Sequence, residues 1–474
     1  MTTQTLAVPA PTTEPAARTW PWLLFVGLGA LVVSLAQSLL IPVLATLPAT
    51  LDTSADTVQW LLTSTLLVAA VSVPLFGRLG DMFGPRRMLL VAIGALVVGS
   101  VVTATSTNVA VLIAGRAIQG VSAAAIPLGI GLLSSLLPRE RSGSAIALIS
   151  AMLGVGGALG LPFAGIIAEH FDFHVLFWIT GAAAAMAFAG IWLAVPESPF
   201  RSGGRVDVIG AVLLAGTLVS LLLPLAEGSD WGWSSGKTIG LLALAVVLLV
   251  AFGWSQTRIA SPLVDLSTLR RRPLVLTNIA TLFFGFALFA SLIGTASYVQ
   301  APVSSGYGFG SSIVVGGLAM LPGGLCMLLF APVSARLIAW RGANQVLAVG
   351  GVIVALGWLG RIVFTGSLTQ VVLGATVVGI GTSIGYASMP ALINQFTPRE
   401  EIAAANGLNM LIRSLGSSLA SAVGGSLLAA ITISVGAYAL PSLTAYRVLF
   451  VICALAALAA ATAALFIPSR PEQD

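Results

Sequence analysis

The chain has 474 residues, of which 57% are hydrophobic and only 8% charged, with a mean hydropathy of +1.03. Soluble globular domains carry about 25% charged residues, so this composition excludes one. On so apolar a chain a net charge of +5 reads as membrane topology, not as nucleic-acid binding. Residues 1–20 are rich in Pro, Thr and Ala and are expected to form a disordered cytoplasmic tail ending near Arg18. The apolar run that follows is longer than a signal-peptide core and has no convincing cleavage site after it. Further runs long enough to cross a bilayer recur to the end of the chain. They predict spans at about 21–46, 57–76, 88–106, 109–136, 143–168, 174–195, 207–226, 237–256, 275–299, 311–334, 343–364, 368–392, 402–434 and 445–467. The expected fold is an all-α polytopic membrane protein with fourteen transmembrane helices. The thirteenth run is over-long, and its first turns are expected in the interface. Cys326 and Cys453 lie in apolar runs and are expected as free thiols.

Loop charges orient these spans. Sixteen of the 21 basic residues fall in the tails and in loops assigned to the cytoplasm: Arg18, Arg78, Arg86, Arg87, Arg139, Arg141, Arg201, Arg205, Arg258, Arg270, Arg271, Arg272, Arg336, Arg341, Arg399 and Arg470. Lys237, Arg361 and Arg447 fall in outer loops or span ends, and Arg116 and Arg413 inside spans. The positive-inside bias therefore puts both termini in the cytoplasm. Lys237 is the lone lysine, a bias expected of a high-GC bacterial coding sequence, and a bacterial inner membrane follows as the expected location.

The chain repeats. GRLGDMFGPRR at 77–87 aligns with ARLIAWRGANQ at 335–345, an offset of 258. Residues 138–165 align with 398–425 at an offset of 260, with Pro138/Pro398, Glu140/Glu400, Gly156/Gly416 and Gly165/Gly425 among the identities. Two regions whose offsets agree to within two residues predict two parallel six-helix repeats. The expected parts are an N-terminal bundle at 21–195, two inserted spans with linkers at 196–274, a C-terminal bundle at 275–467 and a cytoplasmic tail at 468–474.

Gly77 to Arg87 is the most charged short run in the first half. It is expected to be a tight turn between spans 2 and 3, with Asp81 compensating Arg78, Arg86 and Arg87. It resembles motif A of the major facilitator superfamily, with the family's positions on Gly77, Leu79, Asp81, Gly84 and Arg86. Met82 and Pro85 stand where the family has basic residues, and Asp81 aligns with Ala339 in the second copy. The inserted pair makes the chain similar to the fourteen-span drug:proton antiporters of that superfamily. LAEGSDWGWSS at 225–235, PLVDLSTLRRRP at 262–273 and Tyr298-Val299-Gln300 agree, and the resemblance covers about 21–467. It implies that motif A gates the cytoplasmic side, Asp81 pairing with arginines or facing a helix N-terminus of the other half.

Arg116 lies inside span 4, where a charge costs roughly 2.5–3.5 kcal/mol on insertion scales, so it should face a wet cavity or a partner. With Gln119 and Gly120 it resembles motif B, which implies a role in proton coupling. The alternative is an arginine that ties helices together through backbone carbonyls. Gly154, Gly156, Gly157, Gly160, Pro162 and Gly165 in span 5 resemble motif C, which marks antiporters, although Leu161 and Ile166 replace glycines. The alternative is ordinary close packing on small residues.

In span 1 Gln37 stands in a run where many relatives have an aspartate, and no acid is clearly at mid-membrane. Asp81 and Glu227 remain as coupling candidates by elimination, and neutral or anionic amphiphiles are expected as cargo over cations. Asn406, Asn409 and Arg413 share one helix face. Arg413 and Asn409, with Gln37, Asn278, Tyr298, Gln300 and Tyr386, are candidates to line the central cavity, each weighed against simple packing. Glu169, His170, Asp172 and His174 have metal-ligand chemistry but no second cluster, so they are expected in a solvated loop. PESP at 196–199 is similar to the sequence after span 6 in sugar porters. It is set aside because spans 7 and 8 follow a short loop.

No Gly-x-x-x-x-Gly-Lys-Ser/Thr loop is present, so ATP does not drive transport within this chain. No catalytic nucleophile is evident, and neither an enzyme nor a cofactor is expected. The expected function is a monomeric secondary exporter of amphiphilic small molecules. It would exchange them for protons by alternating access in the lipid bilayer, with no nucleic-acid partner. The alternatives are facilitated or ion-coupled uptake of a small solute, or a membrane sensor that keeps the fold without turnover.

Overall fold

The computed structural model describes residues 16–40, 43, 47–200, 207–259, 271–398, 401–435 and 438–468. The tail at 1–15, Arg201, Arg205, Arg270, Arg399, Arg470 and most of the stretch 262–273 lie outside the described residues. Among the described residues fourteen helices are long and apolar enough to cross a membrane. They are Thr19–Ser38, Thr57–Phe83, Pro85–Ala104, Val109–Leu136, Arg141–Ile167, His174–Ala194, Val208–Leu225, Gly236–Gln256, Arg272–Gln300, Val314–Arg341, Ala343–Val363, Leu368–Phe396, Ala404–Ala430 and Leu443–Leu465, here spans 1 to 14. The chain is a multi-pass helical membrane protein. With an even number of spans the start of span 1 and the end of span 14 lie at one face, here the terminal face.

Four boundaries correct the expectations. The first helix starts at Ala16, inside the expected tail. Span 2 does not end before Gly77 but stays helical to Phe83, so the charged motif is mostly helix and the turn is one residue, Gly84. Nothing in Gly77–Phe83 breaks a helix. The stop comes from Gly84 at φ +109°, open to glycine, and Pro85 then starts span 3 at its first position. The second copy repeats the geometry: span 10 runs to Arg341, and Gly342 turns at φ +88° into Ala343. Span 13 ends at Ala430, and its surplus is a two-stranded antiparallel hairpin, Thr432–Val435 with Tyr438–Pro441, in register Thr432↔Pro441. The β-branched run Ile431–Thr432–Ile433 favours strand over a further helical turn.

Spans 1–6 pack around apolar cores that include Val33, Leu96, Leu132 and Ile149 and, nearer the opposite face, Leu61, Leu112 and Leu176. Spans 9–14 pack around Phe284, Leu347, Trp358 and Phe450. Small residues let backbones meet in matching places. A Cβ on Gly156 would sit 2.6 Å from Leu31 O in span 1, and one on Gly416 would strike Leu282 O in span 9. The inserted pair is not peripheral on both sides. Leu214, Leu218 and Leu222 of span 7 recur every fourth residue and pack on Ala70 of span 2, Leu411 of span 13 and Phe252 of span 8. Span 7 therefore lies along the seam between the halves. Span 8 turns Val246, Val247 and Val250 outward, each more than 60% exposed.

Candidate functional site

At the terminal face the two halves are joined through the charged turn. Asp81 is 7% exposed, and its Oδ2 accepts the backbone N–H of Ala404 at 2.9 Å. Ala404 is in the first turn of the helix Ile402–Ala430, whose unpaired N–H groups and partial positive charge favour a carboxylate. Nearby, a Cβ on Gly407 would lie 3.1 Å from Val73 O, and Asn394 bridges Ser134 at 3.0 Å and Asn406 at 2.7 Å.

A second carboxylate, Glu197, completes the turn. Its Oε1 accepts the N–H of Arg86 at 2.9 Å and its Oε2 that of Arg87 at 3.3 Å, capping the start of span 3. Arg86 donates to Trp192 O, while Arg87 stands 4.0 Å from Glu197 as a loose, exposed ion pair. A Cβ on Gly84 would lie 2.7 Å from the Glu197 carboxyl carbon, so glycine is required there for contact as well as for φ. The PESP stretch set aside on sequence grounds therefore holds a residue of this turn. Its signal was a proline-flanked acid directly after span 6.

Between the halves lies a cavity of about 180 Å³. One side is apolar, with Leu66, Leu67 and Val73 of span 2 and Leu222 and Leu225 of span 7. The other is a ladder of hydroxyls on span 13: Ser414, Ser417, Ser418 and Ser421. Their i, i+3, i+4, i+7 spacing puts them on one helix face and was legible in the sequence, although they were not singled out. Gln37 and Thr63 add polar atoms from spans 1 and 2.

Of the residues expected to line the central cavity, this one takes Gln37 alone. Tyr386, Asn409 and Arg413 line a separate cavity of about 20 Å³ with Ser150 and Asn406, Arg413 lying 4.8 Å from the Tyr386 ring. Asn409 is a polar seam residue, donating to Asn278 at 2.9 Å and Thr281 at 2.6 Å. Tyr298 is buried in a ring cluster with Tyr307 and Tyr446, at centroid distances of 5.1 and 5.2 Å. Gln300 packs against Gly316 at the far end of span 9.

Arg116 is 2% exposed and tied to three spans. It donates to Leu61 O at 3.2 Å, Ala36 O at 3.3 Å and Gln119 Oε1 at 2.7 Å, and Gln119 passes on to Ser100 at 2.9 Å. The opening beside it is about 10 Å³, and Gly120 meets span 2 so closely that a Cβ would lie 2.6 Å from Thr65 O. Arg361 lies at a span end, in the last turn of span 11. It is 1% exposed inside the C-terminal half, between the Trp358 and Phe450 rings at 4.7 and 4.6 Å, donating to Ser291 at 3.3 Å. Its place in the last turn of span 11 hid this, since hydropathy cannot tell a rim from a packed helix end.

The span 5 glycines join three helices. Gly156 and Gly160 press on Ser34 and Ser38 of span 1, Gly154 on Met327 of span 10, and a Cβ on Gly165 would lie 3.0 Å from Val314. Gly157 makes only an ordinary contact with Ser34, and Pro162 lies within the helix Arg139–His170. On the opposite face His174 binds Asp172 and, at 2.9 Å, Ser106 O. Slight burial pushes the Asp172 carboxyl up, but the N–H, ring and charge of His174 outweigh it and hold the group below its ordinary value. No metal-ligand cluster occurs among the described residues.

A sequence model described as Major Facilitator Superfamily matches residues 26–323 and 315–474. The tetracenomycin C resistance and export protein of Streptomyces glaucescens is 29% identical over 418 residues, covering 87% of this chain and 76% of that protein. The multidrug resistance protein Stp of Mycobacterium tuberculosis is 27% identical, over 79% of this chain and 69% of that one. The lincomycin resistance protein LmrB of Listeria monocytogenes is 26% identical, over 78% of this chain and 79% of that one. Among solved structures, the human organic anion transporter MFSD10 superposes with a TM-score of 0.66 at 16% identity, over 95% of this chain and 100% of that one. The proton:xylose symporter XylE gives 0.65 at 14% identity, over 96% and 97%. The fold, the paired bundles and these matches agree: the chain belongs to the Major Facilitator Superfamily, as a fourteen-span member similar to drug-resistance and export proteins.

Proposed function

We propose that this protein is a secondary exporter of amphiphilic, antibiotic-like small molecules, exchanged for protons by alternating access. It works as a monomer in a bacterial cell membrane with the terminal face in the cytoplasm. The observation that carries the reading is the cavity of about 180 Å³ walled by both halves and by span 7, apolar on one side and hydroxyl-lined on the other. Such a wall suits a largely apolar cargo with a few hydrogen-bonding groups. The relative named for tetracenomycin C resistance and export supports the direction, and those named for multidrug and lincomycin resistance support the cargo class.

In this reading Asp81 is the latch of the outward-facing state. Its bond to the Ala404 N–H closes the terminal face, and the halves rock apart there when it opens. Motif B acts by rigidity: Arg116 holds spans 1, 2 and 4 as one body. Motif C supplies the sliding contact of span 5 on spans 1 and 10.

The test is dye efflux in everted vesicles or proteoliposomes carrying the purified protein, with and without a pH gradient. Gradient-dependent flux of neutral or anionic amphiphiles supports the antiporter. Flux indifferent to the gradient overturns proton exchange, and no flux of any dye overturns the exporter of amphiphiles.

A further inference from the structure

Glu227 stands in the last turns of the helix Val208–Trp231, just beyond Leu222 and Leu225, which line the large cavity. It is 5% exposed, and its Oε1 accepts the Thr63 hydroxyl at 3.1 Å. Thr63 is itself in the cavity wall, so one hydroxyl separates the carboxylate from the cavity. The same hydroxyl lies 3.3 Å from Gln59 O, one turn back on span 2. A hydroxyl has one proton to give and two lone pairs to offer. With Glu227 ionised, Thr63 donates to it. With Glu227 protonated, the acid donates to Thr63, and Thr63 turns its own proton to Gln59 O. Neither state strands a buried polar group among the three, so the site changes charge without a helix having to move.

Among the described side chains the other charged groups on the packed elements are engaged or distant; Asp230, three residues beyond Glu227 on the same helix, and Asp56, at the start of the helix Ala55–Phe83, lie outside them. Lys237 of span 8 stacks 3.3 Å over the Trp231 ring, and Arg413 of span 13 lies on Tyr386. Arg78 is 15 residues along span 2 from Thr63, about 22 Å at helical rise, with Asp81 beyond it. Asp207 caps the opposite end of the Glu227 helix and binds Gln256 at 2.6 Å, and Glu401 stands before the far end of the span 13 helix. In span 1 Gln37, which cannot ionise, lines the same cavity.

We propose that Glu227, on the inserted span 7, is the proton-carrying group of this cavity, with Thr63 as its relay. One proton binds a Glu227 oxygen when the cavity faces the proton-rich side and leaves to water from the other side. No bond of the cargo forms or breaks. The inserted pair is then part of the coupling machinery and not only a spacer. The inference rests on the exporter reading above.

Two measurements separate them. The first needs no cargo: infrared pH-difference spectra of the reconstituted protein. A carboxylic C=O band that grows as pH falls, is absent in Glu227→Gln and is shifted in Thr63→Val is expected. A spectrum unchanged by Glu227→Gln overturns the proposal. The second is dye transport. Glu227→Gln should lose about tenfold of gradient-driven flux. Full gradient-driven flux in that variant overturns the proposal alone, and a wild type that moves no dye overturns the exporter reading and the coupling role with it. Gln keeps the side-chain volume and accepts the Thr63 hydroxyl. If it still fails to insert, Thr63→Val carries the test through the band shift, and an unshifted band there overturns the relay.

Discussion

The two copies of the charged turn share a backbone and differ in chemistry. Gly84 and Gly342 both end a helix at positive φ, each donating its N–H four residues back, at 2.9 Å to Gly80 O and Ile338 O. Both turns are also tied to the last helix of their half, Arg86 to Trp192 O and Asn344 to Ile467 O. Only the first copy carries acids. Asp81 reaches the start of span 13, whereas around the second turn Ala335 and Ile338 pack on Ala147 and Ala151 of span 5 and Ala331 and Ala387. One repeat thus meets its neighbour through a polar bond, the other through apolar contact. What both copies keep is the bend; the polar bond belongs to one copy.

The comparison breaks most severely at Gly84. Gly84→Ala meets both backbone strain of about 1–3 kcal/mol and the Glu197 carboxyl at 2.7 Å. Gly342→Ala meets the strain but only a 3.2 Å contact with Asn344, so it should leave more folded protein by size-exclusion yield and a higher melting temperature. Next comes Asp81→Asn, which exchanges a charge-assisted bond worth about 1.5–3 kcal/mol for a neutral one. Transport should fall about tenfold with normal membrane levels, and adding Ala339→Asp should not restore it, since that side of the seam is apolar. Wild-type flux in Asp81→Asn would sink the latch. Asn344→Ala should cost about 1 kcal/mol of thermal stability in detergent and leave transport intact, sharpening the contrast between tie and latch. Arg87→Ala should change stability by less than about 0.5 kcal/mol, because its pair with Glu197 is long and exposed.

How much could be read in advance varied with distance along the chain. The count of spans and the charged turn rest on single short runs of the chain, where hydropathy and helical period speak directly. The serine ladder of span 13 is legible by the same rule. The surroundings of Arg361 and Tyr298 were not legible, because a residue's depth and its facing depend on how each helix is rotated against its neighbours. No local pattern reports that when almost every face is apolar.

The sequence by itself determined a duplicated fourteen-span membrane fold, since in lipid each run must satisfy its backbone alone and so becomes a helix whatever surrounds it. It also determined that Asp81, in one copy of the turn, has no acidic counterpart at Ala339. Tertiary structure decided the rest. It set Asp81 on a helix start 323 residues away, Glu197 under the turn at Arg86 and Glu227 behind Thr63, 164 residues distant. Those pairings follow from the packing angles of helices whose apolar surfaces are nearly interchangeable in sequence, and only the assembled bundle selects among them.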